Sequence, residues 1–339
     1  MGTLVGHVAP GFAFFVLGLW HLYNNIKLFS LHPNTFNSSP WFPTSKFRHL
    51  ELYLIMLSSS ASIAMELFIG PKKHQPFDSD GTIPSNHLHN FEHSSISMSF
   101  LVYAVFALVL DQARPKAVSK ELTILAAAST FAQQLFLFHH HSADHMGIEG
   151  QYHKLLQLVI FVSLLTTLMG IALPKSFLVS FVRSSSIAFQ GVWFIVMGYM
   201  LWTPSLISKG CFLYEEKGHE VVRCSSDLAL HRAKSLVKIE FSWFFVGNTI
   251  FVMSLYLILD GVYGENIEYS SLTTKDQVEE DGEKQEDIES LKMSNPGFVQ
   301  MGKIFGDRDV ESFQKRSAGG CGYVLYNSRG PRTKQGFSS

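Results

Sequence analysis

The chain has 339 residues, of which 47 % are hydrophobic and only 16 % charged, and its formal net charge is −1. A soluble domain carries about 25 % charged residues, and so even a balance offers no basic face to nucleic acid. The apolar residues come in blocks as long as a bilayer-spanning helix, roughly 17–25 residues, which points to a polytopic membrane protein rather than a large soluble core.

The N-terminal MGTLVGHVAPGFAFFVLGLW has no Lys or Arg before its apolar run and no small-residue cleavage pattern, so it reads as a retained first span, about Val5 to Tyr23. A polar loop leads to a second span, about Leu50 to Ile69. The third runs from about His89 to Leu110, and the fourth, rich in Ala, from about Leu122 to Phe138. The fifth (about Leu155 to Leu173) stops at Pro174 and the sixth (about Phe177 to Trp202) stops before Pro204. The seventh covers about Val237 to Leu259. Spans three and four begin among polar residues, so a count of six with one re-entrant segment is the alternative.

At Gly264 the composition changes, and KDQVEEDGEKQEDIES (275–290) is charged and nearly free of apolar residues. The expected architecture is all-α. A bundle of about seven transmembrane helices occupies residues 1–263, followed over 264–339 by a charged, disordered tail that is a candidate protein-binding segment.

Seven spans place the termini on opposite sides of the membrane. The first, third and fifth loops carry Lys27, Lys46, Arg48, Arg114, Lys116, Lys120 and Lys175, whereas the second and fourth carry only Lys72, Lys73 and Lys154. The positive-inside rule then puts the odd loops and the tail in the cytoplasm and the N-terminus outside. The sixth loop is basic too, but it holds Cys211 and Cys224, which form one bridge in an oxidising space or remain two free thiols. Asn37-Ser-Ser in the first loop is a glycosylation sequon that would argue for the reverse orientation, although Pro40 follows it closely.

Residues 135–153, LFLFHHHSADHMGIEGQYH, hold five of the fifteen histidines. Topology places them at the same membrane face as HLHNFEH (87–93), because both segments flank even-numbered loops. His89 and His93 stand at i and i+4, as do His141 and His145, and in each pair a carboxylate (Glu92, Asp144) precedes the second histidine. Such spacing puts two imidazoles on one helical face, close enough to share a metal. The candidate ligand set is His87, His89, Glu92, His93, His141, Asp144, His145 and His153, with zinc or non-haem iron as the ion.

Three functional classes follow. One is a non-enzymatic membrane protein with a histidine/carboxylate metal site on the non-cytoplasmic face. Another is a metal-dependent lipid hydrolase or oxidase. The third is a scaffold or receptor-like module acting through the tail, and in every case membrane lipids are partners. The competing reading of the histidines is that they hydrogen-bond backbone and headgroups at span ends, or sense pH. His21, His49 and Glu51 fall at the opposite end and cannot join the cluster.

Four segments, GHVAPGFAFFVLGLWHL, MELFIG, NFEHSSISMSFLVYA and LFLFHHHSADHMGIEGQYH, in this order resemble the transmembrane protein 45 family, most closely its plant branch, catalogued as a domain of unknown function. The resemblance covers about residues 1–263. It implies a multi-pass membrane protein of about seven helices and supplies no assigned reaction.

Overall fold

The computed structural model describes residues 3–70, 75–113, 118–144, 147–216 and 219–292. Its elements are α1 (Leu4–Leu31), α2 (Leu50–Ala64), α3 (Leu88–Gln112), α4 (Ser119–Asp144), α5 (Ile148–Ala172), α6 (Phe177–Trp202), β1 (Cys211–Glu216), β2 (His219–Cys224) and α7 (Asp227–Lys292). Among the described residues seven helices are long and apolar enough to cross a membrane. They follow the seven expected spans; the second and sixth coincide with the expected bounds, and the others extend past them at one or both ends. Thr3 caps α1 by accepting the Gly6 N–H at 3.1 Å. The helix then runs past the expected Tyr23, because nothing breaks it until His32–Pro33. Ser176 caps α6 in the same way, through the Val179 N–H.

The seam between α1 and α6 is set by small residues. A Cβ on Gly18 would fall 2.2 Å from the Ala188 nitrogen, and one on Gly191 would fall 2.3 Å from the Phe15 nitrogen. The two backbones touch there, the close packing that small residues permit in membranes. α6 is the most enclosed span, with 72 % of its apolar window buried, against 6 % for α7. α7 is tied on by polar rungs instead: Tyr152 Oη donates to Glu240 at 2.7 Å, Asn248 to Ser185 at 3.3 Å and Ser30 to Asp260 at 2.6 Å.

Two features depart from a plain helix bundle. α2 passes into a π-helical turn, Met65–Ile69, where the Gly70 N–H reaches back five residues to the Met65 carbonyl at 2.8 Å. Between α6 and α7 the chain forms an antiparallel hairpin whose first and last residues, Cys211 and Cys224, are paired and disulfide-bonded. The fold is therefore not purely α. Leu213 and Val222 face each other across the hairpin and pack on the core cluster of Tyr152, Trp193 and Trp202, while Phe212 and Tyr214 alternate to the exposed side.

In the first loop, Phe36, Trp41 and Phe42 are buried and form a strap across the bundle end. The Ser38 N–H donates to the Pro174 carbonyl at 2.8 Å, and Tyr103 Oη donates to the Pro40 carbonyl at 3.1 Å.

The chain divides into two units, Met1–Glu279 and Glu280–Ser339. Helical backbone continues through Gly264 to Lys292, so the change of composition does not mark a helix end. Residues 293–339, most of the expected tail, lie outside the described residues.

Candidate functional site

The hairpin and the loops after α2 and α4 belong to one end of the bundle. β2 packs on the start of α5, where Gly147 comes to 3.5 Å of the Val222 carbonyl by its Cβ position. The π-helical turn directs Glu66 inward. Its carboxylate accepts Asn90 Nδ2 at 2.9 Å, and one oxygen lies 3.4 Å from His93 Nδ1. His89 Nδ1 meets Glu92 at 3.1 Å within α3. The i, i+4 pair His89/His93 is therefore on one helix but engages two different carboxylates. His87 is buried at the start of α3, and its Nδ1 has no partner among the described residues.

His153 is 1 % exposed, and its Nδ1–H donates to the Glu149 carbonyl at 2.9 Å. His7 of α1, which the ligand set omitted, is 4 % exposed and donates to the Thr3 carbonyl at 3.0 Å. A carbonyl can only accept, so Nδ1 carries the proton in both rings, and a neutral ring then has its lone pair on Nε2. The two rings meet edge to face at 5.9 Å, with Trp202 stacked on His7 at 4.4 Å and Phe138 on His153 at 5.6 Å.

The histidine triplet splits: His139 Nδ1 is 3.2 Å from Gln157 Oε1, and His140 turns back on the Phe136 ring. His141 and Asp144 belong to the last turns of α4, which thus reaches nearly as far as the His141/His145 pairing requires. Their side chains, and all of His145, lie outside the described residues. Among the described residues no group of three or more His, Cys, Asp or Glu side chains is placed to hold a metal. In the loop between α2 and α3, the Thr82 N–H and hydroxyl donate to Asp80 and hold its carboxyl below the usual range.

The opposite end of the bundle carries a buried polar cluster. Glu51 is 6 % exposed and accepts from His21 Nε2 at 2.7 Å, Trp20 Nε1 at 3.0 Å and the Phe42 N–H at 2.9 Å. Arg183 is 5 % exposed, with a 3.5 Å hydrogen bond to the Ser39 carbonyl. Asn25 donates to Ser184 at 3.0 Å. The sequence places His21 and Glu51 at this end, and the structure agrees, but Arg183 and the convergence itself were not foreseen. The available signal was an arginine inside an otherwise apolar span, a costly placement that marks a partnered or functional group.

Residues 120–257 match a family of unknown function, DUF716. The matched region runs from the start of α4 into α7, and includes the triplet His139–His141, Asp144, His145, His153 and the disulfide-closed hairpin. The chain is a multi-pass membrane protein by its seven apolar helices, with a region similar to a family whose role is unassigned.

Proposed function

We propose that this protein is an integral membrane protein of the transmembrane protein 45 type that binds a divalent transition metal at the hairpin end of the bundle. The observation that carries the reading is Glu66, turned inward by a π-helical segment and set against His93 of the next helix at 3.4 Å. π-bulges recur at functional sites, and a carboxylate with an imidazole at this separation offers two ligands to one ion. The remaining ligands come from His141 and Asp144 of α4 and from His145, next in sequence, with His87, His89, Glu92 and His153 completing the set. His7 and His153 have their Nδ1–H groups fixed by carbonyls, which is how ligating imidazoles are oriented in metal sites.

This end faces the non-cytoplasmic side. The hairpin disulfide supports that orientation, since such bonds persist in oxidising compartments, and so does the excess of Lys and Arg in the first, third and fifth loops.

The test is elemental analysis of the protein purified in detergent, alongside Glu66→Gln, His93→Ala and His141→Ala. Stoichiometric zinc or iron in the wild type, falling about tenfold or more in the variants, is the expected result. A wild-type protein without metal after supplementation overturns the reading. For orientation, Asn37 stays unglycosylated while a sequon engineered near Lys217 is modified; the reverse pattern overturns it.

A further inference from the structure

A second site lies at the other end of the bundle, away from the histidines. A cavity of about 230 Å³ opens between the first-loop strap and the ends of α3 and α4, and Trp41, Arg48, Asp111, Ser119, Lys120 and Thr123 line it. Arg48 Nη2 lies 3.1 Å from both carboxylate oxygens of Asp111, which also meets His49 Nε2 at 2.8 Å. The Arg48 guanidinium sits 5.9 Å from the Trp41 ring centroid. Lys120 is exposed and has no ion pair among the described residues.

Depth narrows the ligand. Arg48 lies two residues before α2, Asp111 is next to last in α3, and Ser119 and Lys120 open α4. Each belongs to the boundary of a candidate span, so the cavity lies where span ends meet the headgroup layer. Phe47, Val118 and Leu122, next to or within two residues of the lining, are exposed and extend apolar surface toward the acyl region.

Charge narrows it further. Basic pockets at span ends take lipid phosphates, and Lys120 and Arg48 with the Ser119 and Thr123 hydroxyls suit a phosphodiester. A carboxylate beside an indole suits an alkylammonium group. Asp111 is paired with Arg48 and His49, so a phosphate that draws on Arg48 leaves the Asp111 carboxylate to an ammonium on the same headgroup.

We propose that this pocket seats the headgroup of a zwitterionic phospholipid, its phosphate on Lys120 and Arg48 and its ammonium on Asp111 and Trp41. The assignment does not rest on the metal reading, because no residue is shared between the two sites.

The experiment uses the full chain, delipidated in a non-ionic detergent. Dioctanoyl phosphatidylethanolamine or phosphatidylcholine, dioctanoyl phosphatidylglycerol, and inorganic phosphate are added separately, with retained lipid read by native mass spectrometry and by thermal shift. The zwitterionic lipids are retained, Lys120→Ala weakens them about fivefold, as loss of one exposed charge contact of about 1 kcal/mol implies, and Asp111→Asn moves the preference toward phosphatidylglycerol. Lys120 is exposed, so Lys120→Ala and Lys120→Glu decide the matter even where Asp111→Asn fails to fold. Unchanged retention in the Lys120 variants overturns the proposal, as does a wild type that favours phosphatidylglycerol. Equal protection by inorganic phosphate would make it a free-anion site instead. Metal content stays the same in every arm.

Discussion

α2 and the π-helical turn that continues it carry a glutamate near each end, and the two are held differently. Glu51, in its first turn, is met by three donors: an imidazole, an indole and a backbone N–H. Glu66, in the π-helical turn that follows it, is met by the Asn90 amide and, at a longer 3.4 Å, by His93. A carboxylate held by three fixed donors locks neighbouring segments together. Here it joins α1, α2 and the first-loop strap. Glu66 instead faces an imidazole and an amide of the next helix, at the hairpin end of the bundle. Burial alone therefore does not separate the two carboxylates at membrane depth; the elements that supply their partners do.

The sharpest way to break this contrast is to remove the glutamate held by three donors. Glu51→Ala leaves His21, Trp20 and the Phe42 N–H unsatisfied and the buried Arg183 without its nearby anion, so a loss of about 3–5 kcal/mol is expected, visible as early thermal unfolding in detergent with metal content per folded molecule unchanged. Reducing the Cys211–Cys224 bond, or Cys211→Ala with Cys224→Ala, releases a loop of 13 residues' separation and costs about 3 kcal/mol. The loss falls on the hairpin end, readable as faster proteolysis between α6 and α7. Tyr152→Phe removes a rung that ties α7 to the bundle, Tyr152 Oη to Glu240, and costs about 1 kcal/mol because it removes the hydrogen bond to a half-buried carboxylate. Glu66→Gln has the smallest effect on stability, about 1 kcal/mol or less, since an amide oxygen still accepts from Asn90, while bound metal disappears. Equal destabilisation by Glu66→Gln and Glu51→Ala would erase the distinction between the two ends.

The seven spans were legible because apolar length is a local property, counted residue by residue. The hairpin was not foreseen, because CFLYEE and HEVVRC show no strict apolar–polar alternation and short strands inside a polar loop are outweighed by the helical signal on both sides. The i, i+4 spacing of His89 and His93 correctly put both on one helix. It could not assign their partners, because Glu92 comes from the same helix and Glu66 from another. His7 escaped the ligand set for a related reason: its contact with His153 depends on α1 packing against the core, far from α5 in sequence. The cluster around Glu51 needs four segments brought together, and spacing within one segment carries no information about that.

The glycine seam between α1 and α6 also has a bearing on how the chain is made. The first helix enters the membrane with Gly11 and Gly18 prepared for a partner about 170 residues downstream. At synthesis rates of about 5–20 residues per second, α1 waits on the order of ten to thirty seconds before α6 arrives. During that interval its small-residue face and its buried-to-be His7, His21 and Asn25 are open to lipid or to the insertion machinery. Assembly is thus post-insertional at its most central contact, and a substitution that spoils the seam would leave every helix inserted and the bundle unassembled.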